Sequence, residues 1–210
     1  EYGFLGVIPD EKSQVVTSKF VSVMRETRGV AITNVVPDSP AFRAGLRPND
    51  IVLAVNGTPI FEPGDIMREV GLLPPGSTSR VRIIRANGRE AIVSVPLAKW
   101  PRRDADRIIV SNDRYPLWRG MKIDWPTSRA RHFDFDRPYP RAVVLDRVEP
   151  GSPAATAGLS EGDLLTEVHG KEVESPEEFF KAVASANGPV QVRLIEGSRE
   201  PLIRTITPRR

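Results

Sequence analysis

The stretch Val-Val-Pro-Asp-Ser-Pro-Ala at residues 35–41 recurs as Val-Glu-Pro-Gly-Ser-Pro-Ala at residues 148–154, 113 positions further along the chain. The same offset carries Ala-Gly-Leu at 44–46 onto Ala-Gly-Leu at 157–159, and about half of the positions between 35 and 57 are identical across it. Self-similarity at a fixed offset indicates an internal repeat. The chain has 210 residues, which is room for two domains of about 100 residues each.

Each repeat begins with a β-branched run, at residues 30–36 and 142–148, which predicts a strand. A short helix follows in both. Ser39 and Ser152 are good N-cap residues, Pro40 and Pro153 suit the first helical position, and Gly45 and Gly158 suit a left-handed C-terminal cap. The helix is therefore delimited in the same way in both repeats.

The second half of each repeat is equally regular. Strands are predicted at 50–55 and 163–168, ending in the hairpin-turn pairs Asn56-Gly57 and His169-Gly170. Helices are predicted at 64–70 and 175–184. Closing hairpins are predicted to pair 80–85 with 90–95 around Asn87-Gly88, and 190–195 with 202–206 around Gly197-Ser198.

Composition excludes several classes of protein. The chain has no Cys and only two His, which excludes disulfide frameworks, cysteine–zinc sites and thiol nucleophiles. No apolar run approaches the roughly 18 residues of a membrane span. The net charge of +3 is a mild bias, and nucleic-acid binding is not expected. The chain starts at Glu1 without an initiator Met, so we expect it to be a piece of a longer protein.

The motif Pro-x-Ser-Pro-Ala-x-x-Ala-Gly-Leu, present in both repeats, resembles PDZ domains of the bacterial type. Gly3-Phe4-Leu5-Gly6-Val7 is similar to the PDZ carboxylate-binding loop, and Leu117-Trp118-Arg119-Gly120-Met121 occupies the same place in the second copy. The resemblance implies an α+β, β-rich fold of two PDZ domains. Each would be a small, partly open antiparallel β-barrel or sandwich capped by two helices. We assign residues 1–97 to the first domain, 98–114 to a linker and 115–208 to the second domain.

The tandem arrangement is similar to the C-terminal half of HtrA-type (Deg-type), trypsin-like bacterial serine proteases. An insertion at 10–28, in which we predict a helical stretch near 18–24, and the loop at 71–77 support this resemblance. The segment at 116–121 is similar to second PDZ domains of such proteases.

The resemblance implies that each domain holds an extended peptide as an added strand. We expect the first groove to be formed by residues of the loop and of the following helix, namely Phe4, Leu5, Gly6, Val7, Ile66 and Val70. The second groove would use Trp118, Arg119, Gly120, Met121, Ile123, Phe179 and Val183. The aliphatic residues of the first set predict a preference for an apolar C-terminal residue.

Two residues depart from the family pattern. Pro9 lies two positions after Val7, where a backbone N–H would pair with the peptide, and proline has none. It predicts short or weakly held peptides in the first groove, protection of an exposed strand edge, or both. Arg119 stands where an apolar loop residue is expected, and it would either pair with a peptide carboxylate or block the pocket. Ile123 keeps its N–H, so the second edge is better suited to pairing.

Other candidate sites are weaker. His132, Asp134 and Asp136 alternate in a way that would place them on one face of a strand, but no second cluster completes a metal site. We therefore predict no metal and no cofactor, and read this segment as a solvated loop with apolar anchors. His169 is predicted to be a turn residue. Neither Gly-x-Ser-x-Gly nor Gly-Asn-Ser-Gly-Gly is present, so no catalytic residue is predicted.

The resemblance implies a non-catalytic module that binds substrate polypeptides or peptide C-termini and regulates or feeds an HtrA-like protease domain N-terminal to Glu1. A periplasmic or otherwise extracytoplasmic location and homo-oligomerisation through that protease domain would follow, without membrane insertion by this segment. Two alternatives remain open. One is the periplasmic PDZ pair of a site-2 intramembrane metalloprotease, and the other is a free-standing PDZ scaffold.

Overall fold

The computed structural model describes residues 1–20, 23–101, 115–129, 134–195 and 202–208, with backbone only for residues 13–14, 16–20 and 23–27. The chain divides into two compact units. The first comprises Glu1–Trp100 together with Asp134–Tyr139, and the second comprises Pro101–Phe133 and Pro140–Arg210. The segment Asp134–Tyr139 thus groups with the first unit, although the sequence assigns it to the second domain, residues 115–208.

The first unit is built mainly of antiparallel strands. Its elements are β1 (Gly3–Phe4), β2 (Val7–Phe20), β3 (Val23–Val35), α1 (Pro40–Arg43), β4 (Ile51–Val55), β5 (Thr58–Pro59), α2 (Pro63–Gly71), β6 (Thr78–Ile84), β7 (Glu90–Pro96) and β8 (Ala98–Lys99). The main sheet has the order β2-β3-β4-β6-β7, with β5 paired to β4, and β1 pairs separately with β8. The residues of β8 fall where the sequence places the start of the linker, and residues 102–114, including the apolar run 108–110, lie outside the described residues.

The second unit repeats this topology. Its elements are β9 (Met121–Asp124), a 3-10 turn (Pro126–Ser128), β10 (Val143–Val148), α3 (Pro153–Thr156), β11 (Leu164–Val168), β12 (Lys171–Glu172), α4 (Pro176–Val183), β13 (Val190–Ile195) and β14 (Leu202–Ile206). The sheet order is β14-β13-β11-β10-β9, with β12 on β11. It matches the first unit strand for strand, so the predicted β-rich α+β fold of two similar domains is confirmed.

The helix caps and the hairpin turn at His169-Gly170 form as the sequence predicts. The Oγ of Ser39 accepts a hydrogen bond from the Phe42 amide at 3.2 Å, and the Oγ of Ser152 accepts one from the Ala155 amide at 3.1 Å. Each serine satisfies an amide that the first helical turn leaves unpaired. His169 (φ +48°) and Gly170 (φ +74°) form a two-residue hairpin turn between β11 and β12, which confirms His169 as a turn residue.

The predicted helical stretch near residues 18–24 is wrong. Residues 18–20 end β2 and residues 23–24 begin β3, and the two strands pair from Ser13 with Val30 to Phe20 with Val23. Residues 21–22 lie outside the described part of the chain. The run Val15-Val16-Thr17 is β-branched, and such residues favour strands because their χ1 freedom is restricted in a helix. The insertion is therefore a long two-stranded ribbon.

Each unit encloses its own apolar core. The first core is formed largely by Val30, Ile32, Val52, Val55, Ile60, Ile83 and Val95, and the second largely by Val143, Leu145, Leu165, Val168, Val190, Val192 and Ile206. Both cores receive side chains from the sheet and from the longer helix, α2 or α4. They therefore fix the position of that helix against the sheet.

Candidate peptide-binding grooves

The loop between β1 and β2 is held against the start of α1 through its carbonyl groups. The carbonyl of Leu5 accepts a bond from the Ala41 amide at 2.8 Å, and that of Gly6 accepts one from the Val36 amide at 2.9 Å. Gly6 has a φ of +87°, which glycine adopts without steric cost. A Cβ on Gly6 would overlap the Cβ of Ser39 and lie 2.5 Å from its Oγ. Only glycine fits this approach.

The second unit anchors its loop in the same way. The Arg119 carbonyl accepts from the Ala154 amide at 3.2 Å, and the Gly120 carbonyl accepts from the Glu149 amide at 2.7 Å. Gly120 has a φ of +80°, and a Cβ there would overlap Ser152. Both loops are thus fixed to the serine that caps the following short helix.

The anchored carbonyls determine where the loop amides point. In a trans peptide the C=O of one residue and the N–H of the next face opposite ways, and the chain has no cis peptide among its described residues. The amides of Gly6 and Val7 therefore point away from α1. No backbone carbonyl in the described part of the chain accepts the amide of Gly6. Successive outward amides of this kind can bind a carboxylate.

Both loops lead directly into a strand at the edge of its sheet. In the first unit, Ile32 on β3 uses its N–H and C=O to bond Asp50 and Asn49, both at 2.8 Å, on the side of β4. Its cross-strand partner is Pro9, so the backbone of Pro9 faces the free edge of β2. In the second unit, Leu145 bonds Asp163 and Gly162 in the same way, so the backbone of its partner Ile123 faces the free edge of β9.

The aliphatic residues assigned to the first groove are brought together beside this edge. Leu5, Ile66 and Val70 are buried in one cluster, and half-buried Val7 packs against it. In the second unit Met121, Ile123, Phe179 and Val183 are likewise buried in one cluster, with Trp118 half-buried against it. These side chains come from the loop, the edge strand and the longer helix of each unit, and we name them the apolar floor.

Arg119 has a role that the sequence did not indicate. Its guanidinium donates to the carbonyls of Gly188 at 2.5 Å, Ala186 at 3.2 Å and Ile206, and lies 4.5 Å from the ring centre of Trp118. Burial lowers the pKa of Arg119. Its charge is thus engaged with backbone dipoles of its own domain.

Phe4 is also placed differently from a groove residue. It is buried, and its ring lies 5.8 Å from Trp100, 6.2 Å from Phe135 and 6.1 Å from Tyr139, measured between centroids. The Tyr139 amide also donates to the Pro37 carbonyl at 2.7 Å. Phe4 therefore supports the loop from behind. Sequence reasoning did not identify Phe135 and Tyr139 as supporting residues, since they lie 131 and 135 positions from Phe4 in the chain.

The described residues contain no group of three or more acidic or histidine side chains that could hold a metal ion. His132, one of the residues considered as a metal ligand, lies outside the described residues. Over the described ranges, no helix is long and apolar enough to span a membrane.

Asp65 holds the start of α2, the helix beside the first groove. Its Oδ2 accepts the amides of Phe61 at 2.9 Å and Glu62 at 3.1 Å, and its Oδ1 accepts a bond from Arg68 at 2.8 Å. The Phe61 amide above all, with the Glu62 amide and Arg68, holds the pKa of Asp65 below its ordinary value. The ionised form is therefore the one that stabilises the folded state.

Asp65→Asn should lower stability at neutral pH, and the difference from the parent chain should depend on pH. A carboxylate with a depressed pKa stabilises the fold above its unfolded pKa of about 3.9 and loses that contribution as pH falls through the lower folded value. Urea unfolding of both chains at neutral pH and near pH 3 measures this. The difference in unfolding free energy between Asp65→Asn and the parent chain should be smaller near pH 3 than at neutral pH. Glu11→Gln, which changes an exposed acidic residue, is the control and should show no comparable difference from the parent chain. A difference in unfolding free energy that does not change with pH would contradict stabilisation by the ionised carboxylate of Asp65.

Comparison with known proteins agrees with this geometry. The family model of the PDZ domain matches residues 4–97, a second PDZ-domain model matches residues 144–195, and together they cover more than half of the chain. The chain belongs to the PDZ domain family and carries two PDZ domains in tandem. Proteins similar to this chain are named as DegP-like endoproteases and as HtrA-type proteases.

The relatives include two proteins named probable periplasmic serine endoprotease DegP-like. The one from Halomonas elongata is 29% identical over 86% of this chain, and the one from Marinomonas sp. is 30% identical over 85%. The chain spans 37% and 36% of their respective lengths. Among solved structures, HtrA-type protease AlgW with decapeptide is 25% identical over 48% of this chain and 30% of its own, with a TM-score of 0.38.

Proposed function

We propose that this tandem binds extended polypeptide segments, including apolar C-termini, by adding them as a strand to the edge of a PDZ sheet. The observation that best supports this is that, among the described residues, β2 and β9 each lie at the edge of their sheet, directly after a loop whose carbonyls are anchored by backbone hydrogen bonds. An edge strand exposes unpaired N–H and C=O groups, which an extended peptide can satisfy. The apolar floor beside each edge would take alternate side chains of the peptide.

In the first domain the ligand's last residue would lie against Leu5, Val7, Ile66 and Val70. All four side chains are aliphatic, and those of Leu5, Ile66 and Val70 are each less than 5% exposed. A ligand side chain would therefore enter between them only with a small displacement of α2 and the loop. An apolar residue gains about 25 cal/mol for each Å² of apolar surface that it removes from water. A charged last residue would be desolvated without a partner, so the pocket selects against it.

We further propose that the module regulates or feeds a serine endopeptidase domain in an extracytoplasmic compartment, and that it is not itself catalytic. The relatives are named as periplasmic serine endoproteases, which favours this over an intramembrane metalloprotease. With two histidines and neither serine-nucleophile motif, the chain offers little for a catalytic triad.

The test is fluorescence anisotropy of the full 210-residue chain with a labelled peptide that ends in valine and has a free carboxylate. We expect saturable binding that the unlabelled peptide competes away, and weak competition by the same peptide ending in aspartate. Absence of binding by a folded chain, or equal competition by both peptides, would overturn the proposal.

Pro9→Ala should tighten peptide binding to the first domain about three- to tenfold. The backbone of position 9 faces the free edge, and alanine restores an N–H that can donate to the ligand. A net hydrogen bond contributes about 0.5–1.5 kcal/mol, which corresponds to this range. Pro59→Ala, an exposed proline on β5, is the matched control and should not change affinity. Unaltered affinity in Pro9→Ala would show that the proline serves only to protect the edge.

A further inference from the structure

The carboxylate-binding loops of the two domains differ in backbone geometry. In the second domain Arg119 (φ +51°) and Gly120 (φ +80°) are both left-handed, and Trp118 and Met121 exchange two hydrogen bonds of 3.0 Å across them. This is a closed two-residue turn. In the first domain Leu5 is not left-handed, and Phe4 pairs with Ala98 of β8 instead. The second loop is therefore closed into a two-residue turn, and we call the first loop open because it lacks this turn.

The closed turn removes a donor from the second loop. The anchored carbonyl of Gly120 directs the Met121 amide outward, as in the first domain, but here the Trp118 carbonyl already accepts that amide. A carboxylate is held by several amides acting together. A free C-terminus would have to compete with the turn for the Met121 amide, and its binding is weakened accordingly.

The side chains of the second loop also disfavour binding of a free C-terminus. Trp118 packs edge-on against Phe179, with 5.5 Å between ring centroids, and Phe179 is the α4 residue on the apolar floor. The guanidinium of Arg119 lies over the same indole ring and donates to three backbone carbonyls. The equivalent residue of the first domain, Phe4, is turned instead toward Trp100, Phe135 and Tyr139. The aromatic ring of the loop thus occupies the floor only in the second domain.

The edge strand of the second domain, in contrast, offers more backbone hydrogen-bonding groups than that of the first. Ile123 presents both N–H and C=O to the free edge of β9, whereas Pro9 presents only C=O at the equivalent position of β2. The first domain therefore has the better carboxylate site and the poorer strand edge. The second domain has the opposite combination.

From this contrast we propose that the two domains take different classes of ligand. The first binds a free C-terminus through the amides of its open loop. The second binds an internal extended segment, with no terminal carboxylate, through the backbone of Ile123. This inference rests on the proposed strand-addition function and adds to it the ligand class of each domain.

The experiment compares two peptides of identical apolar sequence on the full chain, one with a free carboxylate and one with residues added at both ends. Amide chemical shifts of the isotope-labelled chain report the site. We expect the free-carboxylate peptide to shift Gly6 and Val7, and the extended peptide to shift Ile123 and protect its amide from exchange.

Ile123→Pro then tests the edge directly. It should weaken binding of the extended peptide tenfold or more and leave binding of the free-carboxylate peptide unchanged. Ile123→Ala loses similar packing but keeps the N–H, so it should bind the extended peptide more tightly than Ile123→Pro does. Proline is structurally acceptable here because Pro9 occupies the equivalent edge position.

The outcomes separate the two proposals. If both peptides shift amide signals of the first domain only, the division of ligand classes is wrong while strand addition stands. The same holds if the free-carboxylate peptide shifts the Gly120 and Met121 signals and binds the second domain more tightly than the extended peptide does. If neither peptide binds a folded chain, the proposed function itself is wrong.

Discussion

Replacing Gly6 by alanine is expected to reduce peptide affinity of the first domain about a hundredfold, equivalent to about 2.7 kcal/mol. The new Cβ would overlap Ser39, which is buried and caps α1. A left-handed φ adds about 1–2 kcal/mol of strain for a residue with a side chain. Because the loop and the cap cannot both keep their positions, the amides of Gly6 and Val7 lose their common direction. Anisotropy with the valine-ending peptide measures the effect.

Gly88→Ala is the matched control, because Gly88 has a φ of +78° but open space around a Cβ. It should cost only the backbone strain and leave affinity unchanged. The double variant Gly6→Ala with Ser39→Gly removes the atoms that collide, and glycine at an N-cap costs only a few tenths of a kcal/mol relative to serine. We expect it to regain part of the affinity. Wild-type affinity in Gly6→Ala alone would refute the proposed use of the loop.

Replacing Tyr139 by alanine is expected to destabilise the first unit by about 3–5 kcal/mol. The side chain is 2% exposed and stacks on Phe4, so its removal leaves a cavity beside Phe4, next to the loop between β1 and β2. Because Phe4 directly precedes the loop, its loss of support should also weaken peptide binding several-fold. Urea unfolding and anisotropy together measure both effects.

Tyr139→Phe keeps the ring and should stay close to the parent chain in stability and affinity. Arg137→Ala, at an exposed position of the same segment, should be neutral. If Tyr139→Ala unfolds like the parent chain, the segment Asp134–Tyr139 does not stabilise the first unit in solution.

The features that could be read from the sequence are those that depend on a few neighbouring residues. Ser39 and Ser152 cap their helices, and Asn56-Gly57 and His169-Gly170 turn their hairpins, because side-chain capping and left-handed backbone preferences act within about four positions. The 113-residue offset then supplied the two-domain organisation, and the repeated motif supplied the family.

In the insertion at 10–28, local residue preferences were not enough to predict the secondary structure. It carries both helix-compatible and β-branched residues, and the long-range pairing of β2 with β3 decided in favour of strands. The floor residues lie in one buried cluster in each unit, and helical periodicity places Ile66 with Val70 and Phe179 with Val183 on one face. Their use by a peptide stays a prediction.

What the sequence by itself determined is that the chain holds two similar domains, each with a capped short helix and a two-residue hairpin turn. The edge at which a peptide could be added follows from the family resemblance and stays a prediction. Only the tertiary structure decided that Arg119 is tied to carbonyls 67 or more positions away, that Phe4 rests on Tyr139, and that one loop is open while the other is closed. These contacts join residues far apart in the chain. They arise from packing and hydrogen bonding of the folded domains, which no short sequence pattern encodes.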